Sequence, residues 1–271
     1  MTLYPVTAQE GLLSVLDLNR MKLHGEKIVC LTAYDASFGQ LIDEAGVDII
    51  LVGDSLGMVV QGDDNTLAVT MDDMVYHTRC VVKASKRALV LADLPFMSCA
   101  TASMALHNSA RLVRESGAQM VKLEGPKVDV VSALVAEGIP VCGHLGLLPQ
   151  SINQLGRYVV QGKSAIAADK IIEDAIALER AGISLLVLEC IPSALTERIS
   201  QVLSIPIIGI GAGRHCDGQV LVLYDILDIS IGRRPRFSKN YMVETGTIQA
   251  AVGAFVKAVK AQEFPLAEHG F

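Results

Sequence analysis

A plan that occurs three times along the chain limits the possible folds more than any other feature. A helical stretch ends at a glycine, a short apolar run follows, and the run finishes at an acidic residue in segments 44–54, 115–125 and 179–190. The apolar runs are too short for helices and do not alternate with polar residues, which is typical of strands buried on both faces. Each glycine is expected just after its helix, where a left-handed backbone suits a residue without Cβ. These glycines are Gly46, Gly117 and Gly182.

Further apolar segments extend the series to eight strands, at 28–34, 88–93, 139–146, 205–213 and 219–225. Amphipathic stretches lie between them, and this alternation predicts βαβ units with right-handed crossovers. We therefore predict an α/β fold, a (β/α)8 barrel preceded by an extra helix near 7–23 and followed by a C-terminal helix near 243–262. Only about five or six residues separate the last two strands, too few for a crossover helix, so an open doubly wound sheet stays as the alternative.

Composition restricts the class of protein and its partners. The 271 residues are 51% hydrophobic and 19% charged, enough apolar residues for a large core in a single domain spanning 1–271. The net charge of −6, with no Lys/Arg cluster, argues against nucleic acid as a partner. No apolar run approaches the roughly 20 residues of a membrane span, and the N-terminus lacks signal-peptide features, so we expect a soluble cytoplasmic protein without membrane contact.

The six cysteines are not spaced as ligands or disulfide partners, because no C-x-x-C pair occurs. We expect buried, reduced thiols.

Two connections are unusually long, residues 55–70 and 146–164. Loops of this length in a compact domain are usually functional or mobile, and both follow carboxyl ends of strands, where barrel active sites lie.

Polar residues at or near the strand ends are the candidate site. They are Asp54, Ser55, Asp93, Lys122, Glu124, His144 and Glu189. A single acid at a strand end more often caps the next helix, by roughly two to one. Four acids on one rim of a barrel are harder to explain in that way, because their repulsion is costly without a cation.

Asp54, Asp93 and Glu124 come from three adjacent strands and offer oxygen ligands with no neighbouring thiol. Such a set suits a hard divalent cation, Mg²⁺ first and Mn²⁺ second. An α-keto acid could chelate the ion through its carboxylate and keto oxygens, and the ion would hold the negative charge of an enolate. Lys122 lies two residues before Glu124, so both could face the barrel interior, where Lys122 would neutralise a substrate carboxylate.

Glu189 stands apart from these acids in the sequence. A carboxylate that ends an apolar run can have its pKa raised by desolvation, which suits a general base for a carbon acid. His144 could orient or share the proton, and the alternative is a buried histidine bonded to backbone. GIGAG at 209–213 is a weak phosphate-loop signal, and its glycines could instead allow close approach of a planar ligand.

The sequence resembles the ketopantoate hydroxymethyltransferase family through motifs spread over nearly the whole chain. In order, they are TAYDASF, LVGDSLGMVVQG, LADLPFM, MVKLEG, VCGHLGLLPQS, LLVLEC, IPIIGIGAG and DGQVLVLYD. The resemblance implies a barrel of the phosphoenolpyruvate mutase/isocitrate lyase kind that assembles as a homodecamer. It implies transfer of a hydroxymethyl group from 5,10-methylenetetrahydrofolate, a co-substrate, to 3-methyl-2-oxobutanoate, giving 2-dehydropantoate and tetrahydrofolate for pantothenate synthesis through a Mg-stabilised enolate.

The resemblance also implies roles for single residues. Asp54 and Asp93 fall on metal ligands that also contact the keto acid. Glu124 falls on the remaining metal ligand, which binds directly or through water. Ser55 and Lys122 fall on positions that bind the keto acid. Two residues are implied to be catalytic: Glu189 falls on the proton acceptor and His144 on a neighbour of the site.

Two other hypotheses about the function are considered besides the hydroxymethyltransferase. A Mg-dependent carbon–carbon lyase acting on a 2-oxo or 2-hydroxy acid would use the same barrel, but such lyases commonly rely on a cysteine in a lid loop. Neither 55–70 nor 146–164 contains a cysteine. A non-catalytic assembly module would need no polar rim at all.

Overall fold

Eight parallel strands form a closed barrel in the computed structural model, which describes residues 11–232 and 234–271. Each strand pairs with its neighbours in sequence, and the first pairs with the last. Nearly every strand residue is buried, as the uninterrupted apolar runs require. The strands are β1 (Ile28–Thr32), β2 (Ile49–Val52), β3 (Leu89–Asp93), β4 (Met120–Glu124), β5 (Val141–Gly146), β6 (Leu185–Glu189), β7 (Ile207–Ile210) and β8 (Gly218–Leu221).

Helices cover the outside of the barrel and follow most strands. They are α1 (Val15–Leu23), α2 (Ala36–Glu44), α3 (Met71–Ala84), α4 (Ala102–Arg111), α5 (Val128–Ala136), α6 (Ile152–Leu155), α7 (Ala165–Ala181), α8 (Ser193–Val202), α9 (Leu223–Ile226), α10 (Met242–Thr245) and α11 (Ile248–Lys260). The prediction that Gly46, Gly117 and Gly182 take left-handed backbone after helices is confirmed, with φ of 90°, 86° and 101°. In the part of the chain that the structure describes, no helix combines the length and apolar character needed to cross a membrane.

The predicted (β/α)8 barrel is confirmed, and the open sheet is wrong because β1 pairs with β8. Residues 211–217 join β7 to β8 without a helix. Lys22 on α1 links the segments that precede β7 and β8. Its Nζ donates to the carbonyls of Leu203 and Ile205 and to the Asp217 carboxylate. Asp217 in turn accepts from the backbone N–H of Ile207, the first residue of β7.

Several predicted boundaries are wrong for local reasons. The last strand ends at Leu221, and residues 223–226 form α9 instead of continuing the predicted strand to 225. The C-terminal helix is two helices, because Gly246 takes a left-handed backbone with φ of 73° and Thr247 caps α11 through its side chain. The N-terminal helix begins at Val15 and not near residue 7; residues 11–14 are not helical, and residues 7–10 of the predicted helix lie outside the described range. The single domain over 1–271 stays a prediction.

Both long connections contain short helical turns. Residues Gly57–Gln61 form a π-helical turn, and Pro149–Ser151 form a 3₁₀ turn that leads into α6. Single π-helical turns occur frequently at functional sites. The connections are therefore folded over the carboxyl ends of β2 and β5, where the candidate site residues lie.

Gly146, the last residue of β5, lies against the backbone of Glu189 at the end of β6. It has φ of 95°, and a Cβ at this position would collide with the carbonyl oxygen of Glu189. Gly156, in the same connection, has φ of 72° but open space around it.

We expect Gly146→Ala to displace the end of β6 and to lower enzymatic turnover far more than Gly156→Ala does. Gly156→Ala carries only the strain of a left-handed alanine, about 1–2 kcal/mol in the free energy of unfolding. Thermal unfolding and turnover of both variants test this. Equal turnover in the two would show that the space beside Glu189 does not matter.

Candidate active site

Strand register brings the predicted polar residues together at the carboxyl end of the barrel. Asp93 on β3 lies opposite Lys122 on β4, and Glu124 on β4 lies opposite His144 on β5. Lys122 and Glu124 are two residues apart and both are buried, with 5% and 6% of their surface exposed. An ammonium this deeply buried needs a partner of opposite charge, and Asp93 on the neighbouring strand supplies it.

Asp93 lies at the centre of one half of the site. One of its oxygens, Oδ1, lies 2.8 Å from Nζ of Lys122, and both side chains are almost fully buried. Its other oxygen, Oδ2, accepts a hydrogen bond of 3.0 Å from the backbone N–H of Asp54. The side chain of Asp93, at the end of β3, is therefore held against the backbone of Asp54, two residues beyond β2.

His144 lies between the two glutamates in the other half of the site. Its Nδ1 is 3.7 Å from Oε1 of Glu124, and its Nε2 is 3.2 Å from Oε2 of Glu189. Neither ring nitrogen has a hydrogen bond of good geometry with any described residue. The alternative of a histidine satisfied by backbone groups is therefore wrong, and a buried ring with two unsatisfied nitrogens is expected to meet a ligand.

Ser55 follows Asp54 and is held by Tyr34, which sequence reasoning did not single out. The Tyr34 hydroxyl lies 2.8 Å from Oγ of Ser55, and Nδ1 of His77 lies 2.6 Å from the Tyr34 carbonyl oxygen. Tyr34 is in the TAYDASF segment directly after β1. Its position after a strand was the available signal.

Gln150 is a second residue that sequence reasoning missed. Its Nε2 donates to Oδ2 of Asp54 at 2.7 Å and to the carbonyl of Leu94 at 3.1 Å. Its backbone N–H donates to Oε2 of Glu124 at 3.1 Å. It lies in the long connection after β5, but a glutamine carries no charge pattern to mark it among the other polar residues there.

The buried charges shift one another's protonation equilibria. Burial, followed by the negative charge of Asp93, raises the pKa of Asp54 to about 7. Burial raises the pKa of Glu189 to about 8 and that of Glu124 well above its ordinary value, against the lowering effect of Lys122. All three carboxyl groups therefore hold their protons more tightly than in water.

The two basic groups shift in opposite directions. Burial alone would lower the pKa of Lys122, but the charges of Asp93, Glu124 and Asp54 outweigh it and keep this pKa above its ordinary value. Burial lowers the pKa of His144 well below its ordinary value, and the positive charge of Lys122 adds to the effect. The site therefore contains a charged lysine and a neutral imidazole.

Contacts within the chain bear on helix capping and on the GIGAG segment. None of the strand-end acids caps a helix: Asp54 and Glu124 accept from Gln150, whereas helix caps come from residues such as Asp35, which accepts from the N–H of Phe38. The glycines of GIGAG serve packing within the chain. A Cβ at 209 would lie 2.6 Å from Sγ of Cys216, and one at 211 would lie 3.0 Å from the Phe237 ring.

The six cysteines form no disulfide, in agreement with the predicted reduced thiols. A closed parallel barrel with buried carboxyl groups, a lysine and a histidine at its carboxyl end has the features of an enzyme of the (β/α)8 class. Comparisons with known proteins identify the family within this class of enzymes.

The model of the family described as "Ketopantoate hydroxymethyltransferase" matches residues 13–267. The chain belongs to the ketopantoate hydroxymethyltransferase family.

Curated relatives agree with this membership over nearly their full lengths. The chain is 59% identical over 256 residues to the 3-methyl-2-oxobutanoate hydroxymethyltransferase of Alkalilimnicola ehrlichii, covering 94% of this chain and 92% of that protein. It is 56% identical over 260 residues to the protein of the same name from Nitrosococcus oceani, covering 95% of this chain and 98% of that protein. The family resemblance inferred from the motifs is thereby confirmed.

Solved structures of low sequence identity share the fold. Phosphoenolpyruvate phosphomutase from Streptomyces platensis aligns with a TM-score of 0.60 and 12% identity, covering 80% of this chain and 83% of that one. A 2,3-dimethylmalate lyase, described as a PEP mutase/isocitrate lyase superfamily member, aligns with a TM-score of 0.57 and 16% identity over 76% and 80% of the two chains. At such identities the likeness shows the barrel architecture alone, so the lyase reading gains no support beyond the fold.

The raised pKa values predict how stability depends on pH without a metal ion. Between about pH 4 and pH 8, Asp54 and Glu189 bind more protons in the folded protein than in the unfolded chain, because they titrate near 7 and 8 instead of near 4. The lowered pKa of His144 acts in the opposite direction below about pH 6.5, but it is one group against two. Stability in EDTA should therefore fall as pH rises through this window. Asp54→Asn removes one of these groups and should flatten the fall below about pH 7.

Thermal unfolding from pH 4 to pH 8 measures this slope. Asp64→Asn, at an exposed position, is the matched control and should keep the wild-type slope. A slope in Asp54→Asn equal to that in Asp64→Asn would contradict the argument.

Proposed function

We propose that the enzyme transfers a hydroxymethyl group from 5,10-methylenetetrahydrofolate to 3-methyl-2-oxobutanoate, giving 2-dehydropantoate and tetrahydrofolate in pantothenate biosynthesis. The observation that carries this is the arrangement of Lys122, His144 and Glu189 within one buried rim. Family membership supports the identity of the two substrates. The geometry supports the chemistry, because forming a carbon–carbon bond next to a carbonyl requires a base at one carbon and positive charge near the oxygens.

Lys122 and Ser55 are proposed to hold the keto acid. The Lys122 ammonium is buried and already oriented by Asp93 at 2.8 Å, so a substrate carboxylate would meet a fixed positive charge. The Ser55 hydroxyl, positioned by Tyr34, offers a hydrogen bond at the same strand ends. Fixed donors of this kind need no reorganisation when charge develops on the substrate.

Asp54 and Asp93 are proposed to bind Mg²⁺, or Mn²⁺, with Glu124 acting through a water molecule. Together with Glu189 they make four buried or nearly buried carboxyl groups against one ammonium, and a divalent cation would stabilise the ionised forms that burial disfavours. Within residues 11–232 and 234–271, no three His, Cys, Asp or Glu side chains form a ready-made metal cluster. Mg²⁺ commonly binds through one or two carboxylates and completes its shell with water and substrate oxygens, so two direct ligands suffice.

A bound divalent cation would supply Lewis acidity at the keto oxygen. Glu189 is proposed to take the proton from C3 of the keto acid, and the electron pair of that C–H bond moves into the carbonyl group to give the enolate. A pKa near 8 makes Glu189 a stronger base than an ordinary carboxylate. His144, neutral and 3.2 Å from Glu189, is proposed to orient the carboxyl group and to share its proton.

The enolate carbon then attacks the methylene carbon of the folate in its iminium form. Water supplies the oxygen of the new hydroxymethyl group as the carbon–nitrogen bond to the folate breaks, so the products are 2-dehydropantoate and tetrahydrofolate. One proton of this water goes to the departing folate nitrogen, and the proton that Glu189 removed balances the one consumed when the methylene bridge opens to the iminium form. Burial of this region excludes bulk water, which would otherwise quench the enolate.

A cytoplasmic location and a homodecamer complete the proposal. The free state of all six cysteines supports a reducing compartment. The homodecamer rests on the resemblance to the family.

The proposal predicts that purified enzyme with Mg²⁺, 3-methyl-2-oxobutanoate and 5,10-methylenetetrahydrofolate forms 2-dehydropantoate, measured by mass spectrometry. Glu189→Gln should lower kcat by about 10²–10⁴-fold, because the amide cannot accept the proton, and should leave keto-acid binding within a few-fold. Glu197→Gln, an exposed change on α8, is the control and should keep wild-type kcat. No product from the wild-type enzyme would refute the function, and turnover by Glu189→Gln close to that of the control would remove Glu189 as the base.

A further inference from the structure

Gln150 contacts all three segments that carry the proposed metal-binding carboxylates. Its side-chain amide donates to Oδ2 of Asp54 at 2.7 Å. The same amide donates to the carbonyl of Leu94, the residue directly after Asp93, at 3.1 Å. Its backbone N–H donates to Oε2 of Glu124 at 3.1 Å. One residue of the connection after β5 therefore ties together the ends of β2, β3 and β4.

The local structure fixes Gln150 in this position. It is the middle residue of the 3₁₀ turn Pro149–Ser151, in which the proline ring restricts the backbone and the N–H of Ser151 donates to the carbonyl of Leu148. The side-chain amide has two N–H groups, and each of the two acceptors can take one. Glutamate or an apolar residue at this position would provide neither donor.

We propose that Gln150 is a positioning residue that fixes Asp54 and Glu124 in the orientation that binds the divalent cation. Gln150 uses only Oδ2 of Asp54 and only Oε2 of Glu124, which leaves the second oxygen of each carboxylate for the ion or its water. Hydrogen bonds from outer residues orient carboxylate ligands, and their loss typically weakens metal binding by about 10–100-fold. This inference rests on the proposed function, because it assumes that these carboxylates bind a cation.

The test measures metal binding directly and does not depend on turnover. Mn²⁺ binding, followed by the electron paramagnetic resonance signal of the free ion and by competition with Mg²⁺, gives the Kd for the protein without substrate. Gln150→Met has a similar length, keeps the backbone N–H and removes only the amide donors. Gln154→Met is the matched control, because Gln154 is exposed on α6 in the same connection.

We expect Gln150→Met to raise the Kd for Mn²⁺ and Mg²⁺ by about 10–100-fold and Gln154→Met to leave it unchanged. At saturating Mg²⁺, kcat of Gln150→Met should return to within a few-fold of wild type, since Gln150 acts through the carboxylates. Far-UV circular dichroism and a cooperative thermal transition verify that the variant is folded.

Two results would overturn the inference and are distinguishable from failure of the proposed function. If wild-type protein binds the ion and Gln150→Met binds it within threefold as well, the positioning role is wrong and the function stands. If kcat of Gln150→Met stays low at saturating Mg²⁺ while the Kd is unchanged, Gln150 acts on the reaction and not on the metal. If wild-type protein binds neither ion, the metal-dependent function fails and the inference fails with it.

Discussion

The burial of four carboxyl groups beside a single ammonium, at the carboxyl end of the barrel, is the constraint on which the site depends. Asp54, Asp93, Glu124 and Glu189 share this rim with a single ammonium, Lys122, which lies 2.8 Å from Asp93. The pKa of Asp54 rises to about 7 and that of Glu189 to about 8, because burial disfavours their ionised forms. A divalent cation would stabilise the ionised carboxylates, and a substrate carboxylate would bind the Lys122 ammonium. The site therefore suits a metal ion together with a substrate that carries a carboxylate.

The barrel itself supplies the required precision. Parallel register aligns Asp93 with Lys122 and Glu124 with His144, so charges that cooperate lie on adjacent strands. Groups held by strands are more rigid than groups on loops, which matters where the reacting atoms must be close and aligned. Gln150, in the connection after β5, links neighbouring strand ends. It donates hydrogen bonds to the carboxylates of Asp54 and Glu124 and to the carbonyl of Leu94.

Most of the fold and the polar rim could be predicted because each depends on local sequence. Three glycine-to-strand segments and a run of apolar strands predict the barrel, and an acid or base near a strand end in a parallel barrel must face its rim. Helix ends were harder: the break at Gly246 depends on a backbone angle, and the short crossing from β7 to β8 depends on Lys22, which is 195 residues from Asp217. Gln150 and Tyr34 were missed because neither carries a charge, and their hydrogen bonds to Asp54 and Ser55 exist only in the folded structure.

Proton exchange at C3 of 3-methyl-2-oxobutanoate tests the central claim most directly, since it isolates enolisation from the transfer step. In D₂O with the enzyme, Mg²⁺ and tetrahydrofolate, and with no one-carbon donor present, we expect the C3 proton signal to disappear in the NMR spectrum. EDTA should abolish the loss. An unchanged C3 signal in the presence of an enzyme that forms product, or exchange at the same rate in EDTA, would contradict metal-assisted proton abstraction at this site.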